Sequence, residues 1–288
     1  MADGTTRLSA STVMAREVSA LRSEVERLTA RLSRPYYPLD DGWALTHLDT
    51  GQMFFVNTRD RNITPWIVMG GTWETEIEGA ILNQLSAGST LVDVGANMGY
   101  YSVKAAARVG PTGRVISFEP NPATLPFLRR NMAINGFADR SEIWPAAVGS
   151  VSGSATLSFS CGDEAQANIH GHGAADRTFT VDVQRLDEAL AHIDRLDVLK
   201  IDAEGSEAEV LLGAQETLAK HDCTVVMELN LERWEARTPL SELASLARNR
   251  SISAVCGGGE MKSLPNMTAL RDHLQACPFT ESYVVLAR

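Results

Sequence analysis

From residue 90 to the end of the chain, short blocks of apolar residues alternate with longer segments in which apolar residues recur every three or four positions. The blocks have the length and β-branched composition of buried strands, and the longer segments have the periodicity of amphipathic helices. Such alternation is typical of a mostly parallel sheet with helices on both faces. The predicted strands are Thr90–Val94, Arg114–Phe118, Glu142–Trp144, Val198–Ile201, Thr224–Glu228, Ile252–Val255 and Tyr283–Leu286.

Helices are predicted between most of these strands, at Tyr101–Val109, Ala123–Asn135, Ser206–Lys220 and Leu240–Asn249. Residues 150–185 interrupt the alternation, because two runs with strand character flank a polar segment rich in Gly, His and Asp. We expect an inserted hairpin there. Residues 90–288 are therefore predicted to form an α/β domain with a Rossmann-like, mostly parallel sheet of seven strands.

Two segments precede this domain. Residues 36–89 contain two predicted strands, Trp43–Leu48 and Gln52–Val56, and a predicted helix, Glu74–Leu85, and we expect them to form a distinct N-terminal region. Residues 1–35 begin with a polar leader and continue as a heptad helix, whose apolar positions are Met14, Val18, Leu21, Val25, Leu28 and Leu32.

This heptad stripe is narrow and is flanked by charged residues of both signs, as in a coiled coil. An isolated helix of about three heptads is marginally stable in water, so it needs a partner. We expect residues 14–32 to join two or more copies of the chain into a homo-oligomer. The alternative is that the helix packs along its own domain.

The composition excludes several classes of protein. The chain has 288 residues, of which 44% are hydrophobic, and its 26 basic and 36 acidic residues give a net charge of −10. An acidic balance argues against a nucleic-acid partner, because phosphate contacts come from Lys and Arg. There is no long apolar run for a membrane span and no apolar signal segment, so we expect a cytoplasmic protein without a membrane partner.

The turn after the first predicted strand carries the strongest chemical signal. Gly95-Ala96-Asn97-Met98-Gly99 joins that strand to a helix, at the sheet edge where open α/β folds bind ligands. It is not the Gly-x-Gly-x-x-Gly of a dinucleotide site, and Asp93 would repel a pyrophosphate but attract an amino group or a sulfonium. Glu119, at the end of the second strand, can accept hydrogen bonds from both hydroxyls of a ribose.

Together these features predict a site for S-adenosylmethionine. The residues expected to bind it are Asp93, Gly95, Ala96, Asn97, Met98, Gly99, Tyr100, Glu119, Pro120, Asn121, Ala147 and Asp202.

Residues 90–230 resemble the FkbM family of class I S-adenosylmethionine-dependent methyltransferases. The matching stretches are VDVGANMGYYS at 92–102, FEPNP at 118–122 and LKIDAEGSEAEVLLGA at 199–214. The resemblance implies O-methylation of sugars or of natural products such as macrolides. The heptad segment is not part of the family pattern.

Transfer of a methyl group to a hydroxyl requires a proton acceptor. Asp202 and Glu204 follow one central strand and Glu228 ends the next, so these three carboxylates are candidate catalytic groups. His170, in the inserted hairpin, is a further candidate base. The carboxylates could instead hold Mg²⁺, although no His-containing cluster supports a metal. Lys200, on the same strand, is expected to support a neighbouring carboxylate.

Two other functions remain open at this point. A nicotinamide-dependent oxidoreductase is disfavoured by the missing third glycine and by Asp93. A non-catalytic scaffold could bind S-adenosylmethionine without turnover, although the strand-end carboxylates argue against it. The main prediction is an O-methyltransferase whose partner is a small molecule that carries a hydroxyl; N- or C-methylation is not excluded.

Overall fold

The computed structural model describes residues 34–159, 177–231, 250–256, 260–277 and 282–287, together with residues 16, 18–23, 25, 234 and 245. The strands are β1 (Tyr37–Pro38), β2 (Trp43–His47), β3 (Met53–Asn57), β4 (Thr90–Val94), β5 (Arg114–Phe118), β6 (Ser141–Trp144), β7 (Ala146–Val148), β8 (Gly153–Phe159), β9 (Arg177–Gln184), β10 (Val198–Ile201), β11 (Thr224–Glu228), β12 (Ser251–Cys256), β13 (Lys262–Leu264) and β14 (Ser282–Ala287). The α-helices with described bounds are α1 (Thr64–Gly70), α2 (Thr75–Leu82), α3 (Tyr100–Val109), α4 (Leu125–Ile134), α5 (Leu186–Ala189), α6 (Glu207–Leu212), α7 (Gln215–Lys220) and α8 (Met267–Gln275).

In the described part of the chain, the main sheet has eight strands in the order β13-β12-β14-β11-β10-β4-β5-β6. The five strands from β11 to β6 are parallel, and β14 runs antiparallel to both of its neighbours. The predicted mostly parallel α/β sheet is confirmed, but the predicted count of seven strands is wrong. The prediction missed β13, because this three-residue edge strand has one buried residue and therefore no apolar block.

The seven strands predicted for this sheet are all present, and their ends lie within one residue of the expected positions. The predicted helix Ser206–Lys220 is divided into α6 and α7. The break occurs at Gly213, where the backbone passes so close to the carbonyl oxygen of Gly149 that a Cβ would clash with it. The predicted helix Leu240–Asn249 lies outside the described residues except for residue 245.

Two paired strands lie at the position of the predicted inserted hairpin. Strands β8 and β9 are antiparallel and form a small sheet with β7, in the order β7-β9-β8, while β1, β2 and β3 form another. Leu157, Val181 and Val183 form its buried face together with Ala147. The polar segment between the two strands, which includes the candidate base His170, lies outside the described residues.

The region before residue 90 packs directly on the α/β domain. Its strands and the helix α2 form as predicted, and Phe54 and Ile67 belong to the same buried cluster as Leu91 and Val103. The ring of Trp43 stacks on Phe127 of α4 with 3.6 Å between ring centroids. The region is therefore fixed relative to the sheet.

Two asparagines, one on α4 and one at its C-cap, hold the edge of β3. The Asn131 side chain accepts a hydrogen bond from the N–H of Phe55 at 2.6 Å and donates to the Phe55 carbonyl at 3.0 Å. One turn later, Asn135 makes the same pair of bonds with Met53, at 3.0 and 2.8 Å. The amides thus satisfy backbone groups of the strand at the edge of the described β1-β2-β3 sheet.

The described part of the heptad segment is helical. Its apolar positions Val18, Leu21 and Val25 are 44%, 64% and 60% exposed, so these three side chains do not pack against the body of the same chain. The other heptad positions lie outside the described residues, and association between copies stays a prediction. Among the helices described, none has the length and apolar character needed to cross a membrane.

We expect Asn131→Ala to destabilise the protein by about 2–4 kcal/mol, because it leaves the N–H and the carbonyl of Phe55 without their buried partner. Urea unfolding measures the change. Asn83→Ala, at an exposed position at the end of α2, is the control and should change stability by less than about 0.5 kcal/mol. Equal effects of the two substitutions would contradict the role given to Asn131.

Candidate active site

A cavity of about 390 Å³ lies at the carboxyl ends of the central strands. The turn after β4 and the end of β5 form one wall, and the loop after β10 and the end of β11 form the opposite wall. The strand order reverses between β4 and β10, which is where ligands bind in open α/β sheets. The volume is in the range of about 300–1,000 Å³ that is usual for small-molecule sites.

The walls approach each other at Gly95. Gly95 has φ 73°, and a Cβ there would clash with the carbonyl oxygen of Asp202. The N–H groups of Gly95 and Ala96 both donate to the carbonyl of Phe118, each at 3.0 Å, while the N–H of Asp202 donates to Val94 at 3.1 Å. The turn therefore connects the ends of β4, β5 and β10 through backbone bonds, and only glycine fits at its first position.

Glu119 projects a buried carboxylate into the same cavity. Its two oxygens accept hydrogen bonds from the N–H groups of Asn97 and Asn121, both at 2.7 Å. Burial raises the pKa of Glu119 above its ordinary value, and these two bonds oppose the rise. The side chain of Thr124 is a third donor to this group. A carboxylate has about four acceptor positions, so the group is oriented by the protein and can still accept from a ligand.

Asp93 lies behind the cavity wall and does not line the cavity, contrary to the direct cofactor contact expected of it. It is fully buried, accepts a hydrogen bond from Ser102 at 2.6 Å and is 3.2 Å from the ammonium of Lys200. Lys200 also donates to the carbonyl of Gly95 at 2.9 Å. Asp93 therefore acts on the turn through Lys200.

Lys200 has the supporting role predicted for it. Its Nζ is 3.4 Å from Oδ2 of Asp202, which lines the cavity. Burial by itself lowers the pKa of Lys200, but the carboxylates of Asp93 and Asp202 outweigh this effect and the pKa is raised above its ordinary value. The side chain is thus a permanent buried cation between two anions.

The three carboxylates predicted to be catalytic, Asp202, Glu204 and Glu228, all line the cavity. The loop that carries the first two is held by the buried Glu207, which accepts hydrogen bonds from the N–H groups of Ala203 at 3.1 Å and Gly205 at 2.9 Å. The predicted neighbourhood of these acids is therefore present.

The other predicted residues divide into three sets. The remaining cofactor-site residues that line the cavity are Gly95, Asn97, Glu119, Pro120 and Ala147. A smaller adjoining cavity of about 40 Å³ is lined by Ala96, Met98 and Tyr100. Asp93, Gly99 and Asn121 line neither cavity.

The described residues contain no group of three or more His, Cys, Asp or Glu side chains that could hold a metal ion. The magnesium site considered from the sequence therefore has no support in that part of the chain.

Sequence reasoning missed Glu74 and Tyr283 as residues of the site. Both line the cavity, and the Tyr283 hydroxyl donates to Oε1 of Glu74 at 2.7 Å. Tyr101 donates to Oε2 at 3.1 Å. Burial raises the pKa of Glu74 to about 7, and the nearby Asp202 carboxylate adds to the rise. No local motif marks either residue, because Glu74 precedes an ordinary helix and Tyr283 is the second residue of an ordinary strand.

Backbone strain is concentrated around the cavity. Among the described residues, four that are not glycine have positive φ, and three of them, Glu74, Asn97 and Glu204, line the cavity. Left-handed backbone at such residues costs about 1–3 kcal/mol and is found preferentially at functional sites. The strain gives a reason, independent of the sequence motifs, to place the chemistry here.

The mouth of the cavity is formed by the segment before α2. Arg61, Trp66 and Trp73 line it, and Trp66 is 63% exposed. The buried Asp60 fixes this segment, since its carboxylate accepts hydrogen bonds from the N–H groups of residues 62–64 at 3.1, 3.0 and 2.6 Å. The aromatic surfaces at the mouth are therefore in a defined position.

Gly95→Ala should destabilise the protein more than Gly136→Ala. The two glycines have nearly equal φ, 73° and 70°, but a Cβ at Gly136 meets no atom within 4 Å. Left-handed strain costs about 1–2 kcal/mol in both variants, and the clash with Asp202 adds about 1–3 kcal/mol at Gly95. Urea unfolding measures the free energy of unfolding of both variants. Equal losses of stability would contradict the expected clash between a Cβ at position 95 and Asp202.

Comparison with known proteins identifies the family. The model of the methyltransferase FkbM domain matches residues 93–277. The methyltransferase sdnD of Sordaria araneosa is 25% identical over 193 residues, which cover 56% of this chain and 73% of that protein. The 2-O-methyltransferase NoeI of Sinorhizobium fredii is 24% identical over 173 residues, which cover 54% of this chain and 70% of that protein.

Solved structures with a related arrangement include methyltransferase FkbM from Methylobacillus flagellatus, with 18% identity and a TM-score of 0.46. The match covers 69% of this chain and 44% of that chain, so this protein spans less than half the length of that structure. An O-methyltransferase from Bacillus cereus in complex with SAH has 13% identity and a TM-score of 0.42 and is matched over 75% of this chain and 82% of its own. The family model covers well over half of the sequence, and the chain belongs to the FkbM methyltransferase family.

Proposed function

We propose that this protein is an S-adenosylmethionine-dependent O-methyltransferase that acts on a hydroxyl of a small sugar or natural-product molecule. One observation carries the proposal. A single cavity has the Gly95 turn and the buried carboxylate of Glu119 on one side, and the carboxylates of Asp202, Glu204 and Glu228 on the other. The first set fits a nucleoside with a charged amino-acid tail, and the second fits an acceptor that must lose a proton.

The residues present fit S-adenosylmethionine. Glu119 is preoriented to accept hydrogen bonds from the ribose hydroxyls. Phe118, Ala147 and Leu157 provide an apolar part of the wall for the adenine. When bound, the cofactor would supply an electrophilic methyl carbon and a neutral thioether as its leaving group.

Two observations support the proposed class of acceptor. Trp66 and Trp73 offer flat apolar surfaces on which a sugar or polyketide ring can pack. NoeI is named a 2-O-methyltransferase, which supports an oxygen acceptor for a chain that resembles it. The cavity is of small-molecule size, and the net charge of −10 argues against a nucleic-acid acceptor.

A nicotinamide-dependent oxidoreductase is disfavoured by the hydrogen bonds of the turn. The N–H groups of Gly95 and Ala96 both donate to Phe118, so they are not available to a pyrophosphate. A scaffold that binds the cofactor without turnover is the remaining alternative, and an assay for methyl transfer decides between it and the enzyme.

Glu119→Ala should weaken the binding of S-adenosylhomocysteine by about 1–3 kcal/mol, because a charge-assisted pair of hydrogen bonds to the ribose is lost. Isothermal titration calorimetry measures the affinity. Glu216→Ala, at an exposed position on α7, is the control and should bind like the wild type. NAD should not bind to any of the three proteins.

The outcomes separate the alternatives. Binding of NAD but not of S-adenosylhomocysteine would favour the oxidoreductase. Unchanged affinity in Glu119→Ala would remove that residue from the cofactor site. Binding of S-adenosylhomocysteine by a protein that methylates none of the sugar and polyketide acceptors tested would favour the scaffold.

We also propose that the heptad helix joins copies of the chain, as the exposure of Val18, Leu21 and Val25 supports. Leu21→Glu in the full-length chain should lower the mass measured by light scattering, because it puts a charge into the apolar seam. Arg22→Glu places the same residue at the neighbouring exposed position and should leave the mass unchanged. An unchanged mass in both variants would reject association through this helix.

A further inference from the structure

We infer that Glu74 is the catalytic base that accepts the proton of the acceptor hydroxyl. This inference rests on the proposed methyl transfer and deepens it, because it assigns the proton to one side chain. Glu74 precedes α2 and lies, like Tyr283, outside the segment 93–277 that the family model matches. No motif of the sequence assigns a role to it.

Glu74 lies within the candidate active site. Its side chain lines the cavity that also contains Asp202 and Glu228, so an acceptor hydroxyl bound there can reach it. The hydroxyls of Tyr283 and Tyr101 donate to its two oxygens at 2.7 and 3.1 Å and fix the plane of the carboxyl group. Each oxygen keeps a second acceptor position for a substrate proton.

The backbone supports the same assignment. Glu74 has φ 45° and ψ 59°, a left-handed conformation that a residue with a Cβ rarely adopts. The following residue begins α2, so the strained residue is joined directly to the first turn of a helix. The strain is retained at a residue whose side chain points into the cavity, as expected of a functional group.

Asp202 is less suited to the task than Glu74. Its Oδ2 is 3.4 Å from the ammonium of Lys200, so this ion pair already engages an oxygen that would have to accept the substrate proton. Glu74 lies beyond that ion pair. Lys200 lowers its pKa less than burial and the like charge of Asp202 raise it.

The proton transfer is balanced. The acceptor oxygen uses an electron pair to form its bond to the methyl carbon, and its O–H bond breaks as the proton moves to an oxygen of Glu74. The electron pair of the O–H bond stays on the acceptor oxygen, so the methylated product is neutral. Glu74 then releases the proton to water at the open mouth of the cavity.

The groups that face Glu74 predict its dependence on pH. They are Tyr101 from α3, Tyr283 from β14, Lys200 and Asp202 from the end of β10, and Glu228 next to Tyr283. With a pKa of about 7, Glu74 is protonated below neutrality and charged above it. Activity that depends on the charged form should rise as the pH increases through about 7.

The test is the pH profile of kcat/KM for methyl transfer to a mixture of hexose methyl glycosides and a macrolide aglycone. In Glu74→Gln we expect kcat/KM at pH 8 to fall about 100-fold or more and the rise near pH 7 to disappear. Glu76→Gln, at an exposed position on α2, is the matched control and should keep the wild-type profile. Glu204→Gln and Glu228→Gln should keep the rise near pH 7.

Substitution of two residues next to Glu74 should shift the pH at which kcat/KM rises, in opposite directions. Asp202→Asn removes a like charge and should shift it to lower pH, whereas Tyr283→Phe removes a hydrogen bond to the charged form and should shift it to higher pH. A purely structural role of Glu74 predicts neither shift. Loss of the rise in Asp202→Asn, with its retention in Glu74→Gln, would overturn the inference and make Asp202 the base.

A second readout needs neither cofactor nor acceptor. The pKa of Glu74 is raised on folding, so the charged carboxylate destabilises the folded state, and stability is lost as the pH rises through the unfolded and then the folded pKa. The stability of Glu74→Gln relative to the wild type should therefore increase between pH 4.5 and pH 7. A constant difference would reject the titration on which the inference draws.

Calorimetry with S-adenosylhomocysteine distinguishes a failure of the proposed function from a failure of the assignment of Glu74 as the base. Normal binding by Glu74→Gln together with lost turnover supports both the cofactor site and the base. Normal binding with normal turnover overturns the base and leaves the proposed function intact. If the wild type binds no S-adenosylhomocysteine, or methylates nothing in the mixture, the proposed function fails and the inference fails with it.

Discussion

The buried ammonium of Lys200 is the interaction on which the arrangement of the site depends. It lies 3.2 Å from Asp93 and 3.4 Å from Asp202, and it donates to the carbonyl of Gly95 at 2.9 Å. These contacts join the strand β4, the glycine turn and the loop after β10. A buried charge is tolerated only with such partners, and removing one of them typically costs several kcal/mol. The cavity wall is therefore held by electrostatics as well as by backbone bonds.

One cation between two carboxylates leaves an excess negative charge. Asp93 is fully buried and balances Lys200, so the charge of Asp202 acts on what lies across the cavity. Glu74 is the carboxyl group that experiences it, in addition to its own burial. The pair Asp93–Lys200 is thus structural. Asp202 contacts Lys200 and also raises the pKa of Glu74 through its negative charge. The division of roles follows from distance and burial, because all three acids have similar pKa values in water.

The N-terminal region completes the site and does not merely precede it. Asn131 and Asn135 attach β3 to α4, and Asp60 fixes the loop that leads to Trp66. Without this region, the cavity would lack the wall that the residues before α2 provide. With this region in place, the cavity gains aromatic surfaces and Glu74, neither of which belongs to the segment that the family model matches.

The sequence by itself determined the strands of the sheet, the glycine turn, the inserted hairpin and the carboxylates Asp202, Glu204 and Glu228. These are local features: an apolar block marks a buried strand, and a strand end followed by Gly or an acid marks the ligand edge. A sequence pattern predicts which residues are buried and which chemical groups they carry. It does not predict which distant residue each of them contacts.

Only the tertiary structure decided that Asp93 lies behind the wall with Lys200, and that Glu74 and Tyr283, 209 residues apart, meet in the cavity. The short edge strand β13 was missed for a related reason, since with one buried residue it has no pattern to detect. Contacts between distant segments depend on packing of the whole core, and a single carboxyl group acquires an unusual pKa only from that packing.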